Sequence, residues 1–378
     1  MASIYIHIPF CKQACHYCDF HFVTSLKNKS FMINALCEEL RLRRHEFKDV
    51  EVSCIYFGGG TPSVLEVEEI DLILKEVFNL YNCAVNLEIT LEANPDDLTP
   101  AKIESLAASQ INRLSIGVQS FHEQDLKLMN RAHNAIEAME SIQLSRKLFP
   151  NISIDLIYGI PGLTDEQWRE NLYQAIELDV PHISSYALTV EDGTALKKFI
   201  DKGVMQPVDD EQAQRQFNIL LDVMQLHGYE NYEFSNFSKK GFFSRNNTAY
   251  WTGKSYLGIG PSAHSFDGNR RAWNINNNVK YIKAIEAGNL PQEVEELTII
   301  DRYNEYVMTG LRTVYGVSLV HVEKEYGLRF REYLLEQAAT YLKDHLLYLD
   351  DKTLLVTRKG KFLSDGIASE LFMLNLTS

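Results

Sequence analysis

Six times in the first 190 residues, a short apolar run rich in β-branched residues ends at a glycine-, proline- or amide-bearing corner and gives way to helical spacing. The runs fall at residues 4–8, 54–57, 86–91, 113–117, 152–158 and 183–188. They recur at roughly the spacing of a strand, a crossover helix and the return to a parallel neighbour, about 30 residues. Right-handed crossovers curl such a sheet towards a barrel. Six units are two short of a closed eightfold barrel, so the pattern predicts an α/β fold built on a partial, open (β/α)6 barrel. In folds of this kind the working side chains collect beyond the C-terminal ends of the strands. Here those ends carry Gly58-Gly59-Gly60-Thr61-Pro62, Glu92-Ala93-Asn94-Pro95, Val118-Gln119-Ser120 and the surroundings of Asp155.

The first strand runs directly into Cys11-Lys12-Gln13-Ala14-Cys15-His16-Tyr17-Cys18. Three thiols at these spacings reach one small volume from a single loop, and thiolates suit both iron–sulfur clusters and zinc. Cys37, Cys54 and Cys83 are scattered singly, so no fourth cysteine stands nearby. A zinc site would draw its fourth ligand from His16 or His21. A cluster would leave one iron open to chemistry. On the residues alone both readings stand. The glycines at 58–60 lack the Lys-Ser/Thr of a phosphate-binding loop, which argues against a nucleoside triphosphate. His7, mid-strand among apolar neighbours, reads as a satisfied core histidine.

The formal net charge of −14 argues against an extended nucleic-acid surface, which needs a basic footprint. No apolar run approaches the ~20 residues of a membrane span. The first residues alternate like a strand and carry no basic, cleavable leader, and the six cysteines lack the spacing of a disulfide framework, so a cytoplasmic setting is expected. After about residue 200 the strand–helix alternation weakens. A stripe of Phe217, Leu220, Leu221 and Met224 marks a helix over 209–227. Residues 258–264 read as a glycine-containing turn, and from about Leu297 the chain reads as helical with a short hairpin. The expected division is 1–230 for the partial barrel, 231–295 for a connecting segment that closes the cofactor pocket, and 296–378 for a small, mostly helical, winged-helix-like C-terminal domain.

These motifs together resemble the radical S-adenosylmethionine (radical SAM) superfamily. They are closest to the family of oxygen-independent coproporphyrinogen III oxidase and its heme chaperone relatives. The matching blocks are Tyr5-Ile-His-Ile-Pro-Phe-Cys11, Tyr17-Cys18-Asp19-Phe20, Phe57-Gly-Gly-Gly-Thr-Pro62, Glu92-Ala-Asn-Pro95, Gly117-Val-Gln-Ser-Phe121, Asp155-Leu-Ile-Tyr-Gly159 and Gly258-Ile-Gly-Pro-Ser-Ala-His264. The resemblance implies that Cys11, Cys15 and Cys18 hold three irons of a 4Fe-4S cluster and that SAM chelates the fourth. Electron transfer from the cluster would then cleave SAM reductively, which requires an electron donor. Tyr17 resembles the residue packed on the adenine. Gly59, Gly60 and Thr61 resemble the strand end that receives the SAM amino group. Tyr5 matches a contact of the first SAM, and Glu92, Gln119, Arg131 and Asp155 match contacts of a first or second SAM. Thr189 and His264 fall at further second-site positions.

Two departures bear on function. Oxidases of this family carry a fourth cysteine two residues beyond the third, where this chain has Phe20; the heme chaperone branch has Asp-Phe there, as here. The chaperone branch also lacks a long N-terminal extension, and Tyr5 stands near the start. These points favour a heme chaperone, with heme and a heme-accepting apo-protein as partners, over coproporphyrinogen oxidation. Against this, the branch's His-Asn-x-x-Tyr-Trp appears here as Asn246-Asn-Thr-Ala-Tyr-Trp251. Asparagine is a poor axial ligand for heme iron, so a heme site here needs another ligand or is a weaker one, and His264 is a candidate ligand by proximity in sequence only.

Overall fold

The computed structural model describes residues 1–47 and 50–374. Six parallel strands pair in chain order: β1 (Ala2–Ile8), β2 (Val52–Gly59), β3 (Cys83–Ala93), β4 (Arg113–Gln119), β5 (Asn151–Tyr158) and β6 (His182–Ala187). Helices α1 (Lys29–Leu42), α2 (Val67–Leu80), α3 (Pro100–Ala108), α4 (Glu123–Leu128), α5 (Ala135–Leu148) and α6 (Asp165–Glu177) form the crossovers. The expected (β/α)6 arrangement is present. The helix starts are encoded locally. Thr99 caps α3 ahead of Pro100, and the capping boxes Asn134/Glu137 and Thr164/Gln167 open α5 and α6. Each such cap contributes about 1 kcal/mol.

The strands alternate sharply. Ile4, Ile6 and Ile8 of β1, Leu114, Ile116 and Val118 of β4, and Ile152, Ile154 and Leu156 of β5 are all fully buried against the helices. The intervening positions, Tyr5, Tyr56, Thr90, Glu92, Arg113, Ser115, Ser153 and Asp155, share the opposite face by the period of two. A parallel sheet dry on both faces reads as a continuous apolar run. This one curves around a polar lumen.

Beyond β6 come α7 (Ala195–Asp201), α8 (Asp210–Leu226), β7 (Glu230–Glu233), β8 (Asn236–Ser238), α9 (Arg245–Trp251), β9 (Tyr256–Ile259), β10 (His264–Phe266), β11 (Arg270–Asn274), α10 (Asn278–Glu286) and β12 (Gln292–Glu296). All six of these strands extend the same sheet, whose order is β12-β11-β10-β9-β1-β2-β3-β4-β5-β6-β8-β7. The sheet is open, with β12 and β7 at its edges. The run read as a turn at 258–264 is partly a strand: β9 lies parallel to β1, with Tyr5 opposite Gly258.

The C-terminal region has its own core, centred on Tyr303, Val307, Leu334 and Leu354. It contains α11 (Ile299–Leu311), β13 (Val317–Ser318), α12 (Leu319–Tyr326), α13 (Leu328–Lys343), β14 (Leu347–Asp350), β15 (Thr353–Val356) and α14 (Ser364–Glu370). Its strands form a small wing in the order β13-β15-β14, as the helical spacing and hairpin had indicated. Among the described residues no helix is long and apolar enough to cross a membrane.

Candidate functional site

Pro9 ends β1, and the chain leaves as a loop closed at its base by the Phe10–Val23 bridge, with Cys11 N donating to Val23 O and Val23 N to Pro9 O. The loop is stitched at its crown to the turn after α4. Gln13 Nε2 donates to Asn130 O (2.9 Å), Asn130 Nδ2 to Ala14 O (2.8 Å), and His16 Nδ1 to Leu128 O (2.9 Å). Asn130 adopts a positive φ of 56°, and the same turn presents Arg131. One short segment therefore both holds the cysteine loop and delivers a guanidinium to it.

Each thiol meets one donor from a different source. Thr61 Oγ1 lies 3.3 Å from Cys11 Sγ, Arg131 Nη1 lies 3.3 Å from Cys15 Sγ, and the backbone N–H of Phe20 points to Cys18. Hydrogen bonds and a cation at sulfur favour thiolate, the form that binds metal. Without a metal, burial pushes the Cys11 and Cys18 thiols up to about 11. None of the three is in a disulfide. Among the described residues, no three His, Cys, Asp or Glu side chains converge on a point for a single ion. Three thiols delivered by one loop, each met by its own donor, suit separate irons of a cluster. The donor set thus fits the group that the motif implies.

The strand ends form the other wall. Gly60 N donates to Ile8 O and Thr61 N to Phe10 O, which seats the β2 corner against the root of the cysteine loop. A Cβ on Gly60 would lie 2.6 Å from Phe10 O, and one on Gly59, whose φ is +108°, would lie 2.5 Å from the His7 ring. Only glycine permits this approach. His7 is the buried, satisfied histidine expected: Nε2 donates to His21 O (2.9 Å), Tyr5 OH lies 3.3 Å from Nδ1, and burial lowers its pKa to about 4.

Asn94 joins the two walls. Its Oδ1 accepts from Arg131 Nη2 (2.7 Å), which also donates to Gly117 O (2.6 Å), and its Nδ2 donates to Thr61 Oγ1 (3.4 Å). Arg131 Nε is buried without an acceptor, an orphan donor beside the thiols that the carboxylate of a bound amino acid would satisfy. Gln119, at the β4 end, holds a positive φ of 70° although it is not glycine. Such strain costs of order 1–3 kcal/mol and collects at binding sites.

Tyr5, Tyr56, Glu92 and Asp155 line the lumen below. Burial pushes the Glu92 carboxyl up to about 7, reinforced by Asp155 and opposed by the Tyr56 hydroxyl, which donates to Oε1 at 2.7 Å. Burial likewise pushes Asp155 up to about 6. Tyr17 packs, half-buried, against the main core, and its phenol is pushed up by burial. Thr189 is exposed just past β6. His264 lies on β10, exposed and stacked on Trp273 at 6.0 Å between ring centres. Among the described residues no hydrogen bond joins Thr189 or His264 to the cysteine loop. Asn94 carries no mark of its own in the sequence although it stands inside the Glu92–Pro95 block, and Arg113 shows there only as the start of the fourth strand.

The family model for the radical SAM superfamily matches residues 5–172, and that for the HemN C-terminal domain matches residues 297–363. Fold and site together define a protein of the radical SAM type. Coproporphyrinogen III oxidase (HemN) from Escherichia coli, a radical SAM enzyme, superposes with a TM-score of 0.85 at 26% identity, covering 98% of this chain and 90% of that one. Heme chaperone HemW of Bacillus subtilis is 32% identical over 372 residues, 97% of this chain and 98% of its own. The Lactococcus lactis heme chaperone HemW is 33% identical over 372 residues, 98% of this chain and 97% of its own. The chain belongs to the oxygen-independent coproporphyrinogen III oxidase-like family of the radical SAM superfamily, in its heme chaperone branch.

Proposed function

We propose that this protein is a heme chaperone that binds heme and hands it to an apo-protein, with a SAM-associated 4Fe-4S cluster held by Cys11, Cys15 and Cys18. The observation that carries the reading is the end-to-end likeness to curated heme chaperones. Phe20 supports it: the position that bears a fourth cysteine in the oxidases is here an aromatic ring, 69% exposed at the mouth of the loop. When bound, the cluster and SAM supply one-electron chemistry. The chain's own residues seat and orient. Thr61, Arg131 and the Phe20 N–H hold the three sulfurs. The glycine corner at Gly59 and Gly60 brings the β2 end close against the root of the cysteine loop, where an amino group would be received, and Arg131 Nε would offer a donor to its carboxylate. Tyr5, Glu92, Gln119 and Asp155 form the polar wall that a SAM molecule would face, and Tyr17 the half-buried ring beside it. Thr189 and His264, both exposed, would be further contacts.

Heme would be cargo. Asn246 sits in the first turn of α9, with its backbone N–H 3.4 Å from Glu88 Oε1, and its side chain offers iron no strong ligand. Titration of the cluster-loaded protein with heme tests the proposal: a saturable Soret shift near one heme per chain is expected, and no shift removes it. Catalytic release of 5′-deoxyadenosine with protoporphyrinogen from coproporphyrinogen III would instead assign the chain to the oxidase reaction, which its fold neighbour makes the alternative.

A further inference from the structure

Arg113 is the most unusual charge in the molecule. It is 2% exposed, at the start of β4 and on the lumen face of the sheet. Among the described residues its side chain makes no hydrogen bond and no ion pair within 4.0 Å, and its Nε is buried without an acceptor. Its charge is felt by Glu92, Asp155 and Tyr56 on one side and by His182 and Tyr232 on the other. Neither carboxylate comes close enough to pair. Arginine stays protonated in proteins, and an unpaired buried guanidinium is costly by several kcal/mol.

The residue beside it in the β3–β4 register is Thr90, fully buried, whose Oγ1 is also without a partner. The neighbouring polar groups are already committed. Tyr56 OH donates to Glu92, Ser153 Oγ and Tyr232 OH bracket the His182 ring at 2.7 Å each, and Ser184 Oγ donates to Asn236. Two buried donors without partners therefore stand in register on β3 and β4, one pleat (about 6.6 Å) below the level of Glu92.

We propose that Arg113 and Thr90 form a receptor for the carboxylate of a ligand that enters the lumen from the C-terminal ends of the strands. A planar monoanion matches the guanidinium fork, and the threonine hydroxyl supplies a further donor. A dianion such as phosphate would meet the nearby carboxyls of Glu92 and Asp155 with its second charge. Seating a carboxylate at this depth leaves the remainder of the ligand above it, beside Glu92, Asp155 and the cysteine loop. The receptor thus fixes which end of the molecule points down. The proposal does not depend on the heme reading, since any organic monocarboxylate of suitable size meets its terms.

The test uses the full-length, cluster-loaded protein and sodium propionate as probe, at constant ionic strength, with propionamide and sodium chloride as controls. Propionate should raise the thermal midpoint saturably, and propionamide and chloride should not. Arg113→Met should weaken the propionate response about tenfold or more, the loss expected for a charge-assisted bond. Thr90→Val, close in shape, should weaken it about three- to tenfold and keeps the test decisive if the arginine variant does not fold. Absence of a saturable response in the wild type overturns the proposal. So does a response equal in wild type and Arg113→Met, or Thr90→Val binding propionate as the wild type does.

Discussion

Replacing Glu92 by glutamine probes the lumen where burial and charge are most opposed. The carboxyl is moved from 4.5 to about 7, chiefly by burial, although Tyr56 donates to it. At about 1.4 kcal/mol per pH unit this is a penalty on the order of 3 kcal/mol for holding the ionised form in the fold. The folded state keeps the proton more tightly than the unfolded chain does. Below about pH 4.5 both states are protonated and the residue costs nothing. As pH rises the unfolded chain ionises first, so the cost grows until about pH 7 and is constant above it. Glutamine keeps the shape and an acceptor for Tyr56 without the charge. Urea unfolding of the metal-free protein should therefore find Glu92→Gln more stable than wild type by about 3 kcal/mol at pH 8, and by under about 1 kcal/mol at pH 5. Asp155, moved the same way to about 6, repels the Glu92 carboxylate; the variant loses that shared repulsion, which is already counted in the Glu92 figure. A difference that stays constant from pH 5 to 8, or a variant less stable than wild type at pH 8, would refute the reasoning.

Three other outcomes are expected. Cys15→Ala should lose the broad visible absorption of the reconstituted cluster, because two thiols remain; retained absorption would place the ligands elsewhere. Gly60→Ala puts a methyl 2.6 Å from Phe10 O and 2.8 Å from Ile8 O and should cost about 1–3 kcal/mol by urea unfolding; an unchanged midpoint would mean the corner is looser than it stands. Asn246→His should tighten heme binding in the Soret titration; unchanged affinity would mean that this position does not reach the iron.

The six parallel strands were legible because each combines β-branched residues with a corner, and because the helices between them carry their own caps. Strands β9 to β12 were not. They are three to five residues long, too short to show a period. What makes 256–259 a strand is the free edge of β1, paired through Tyr5 and Gly258 across some 250 residues of chain. Local propensity cannot carry that information, since a glycine-rich run chooses strand or turn by what lies beside it. The polar face of the lumen was half visible. Ser115, Asp155 and Arg113 alternate with apolar residues, but alternation alone does not say whether the polar side meets bulk water or the inside of a curved sheet.

The same distinction separates the parts of the site that the sequence revealed from those it did not. The cysteines, Thr61, Glu92, Gln119, Arg131 and Asp155 stand in contiguous blocks whose order is itself a signal. Arg113 looks like any charged residue at a strand start, and such residues are exposed by default; only the curvature of β3, β4 and β5 puts it on the floor of a lumen. Asn94 was in plain view, yet its role is relational, since it matters through what it touches. By holding Arg131 on one side and Thr61 on the other, it ties the donor at Cys15 to the donor at Cys11. A change in either wall therefore moves both sulfur environments together. The loop supplies the ligands, but the register between the β2 and β3 corners and the turn after α4 decides how those ligands are held.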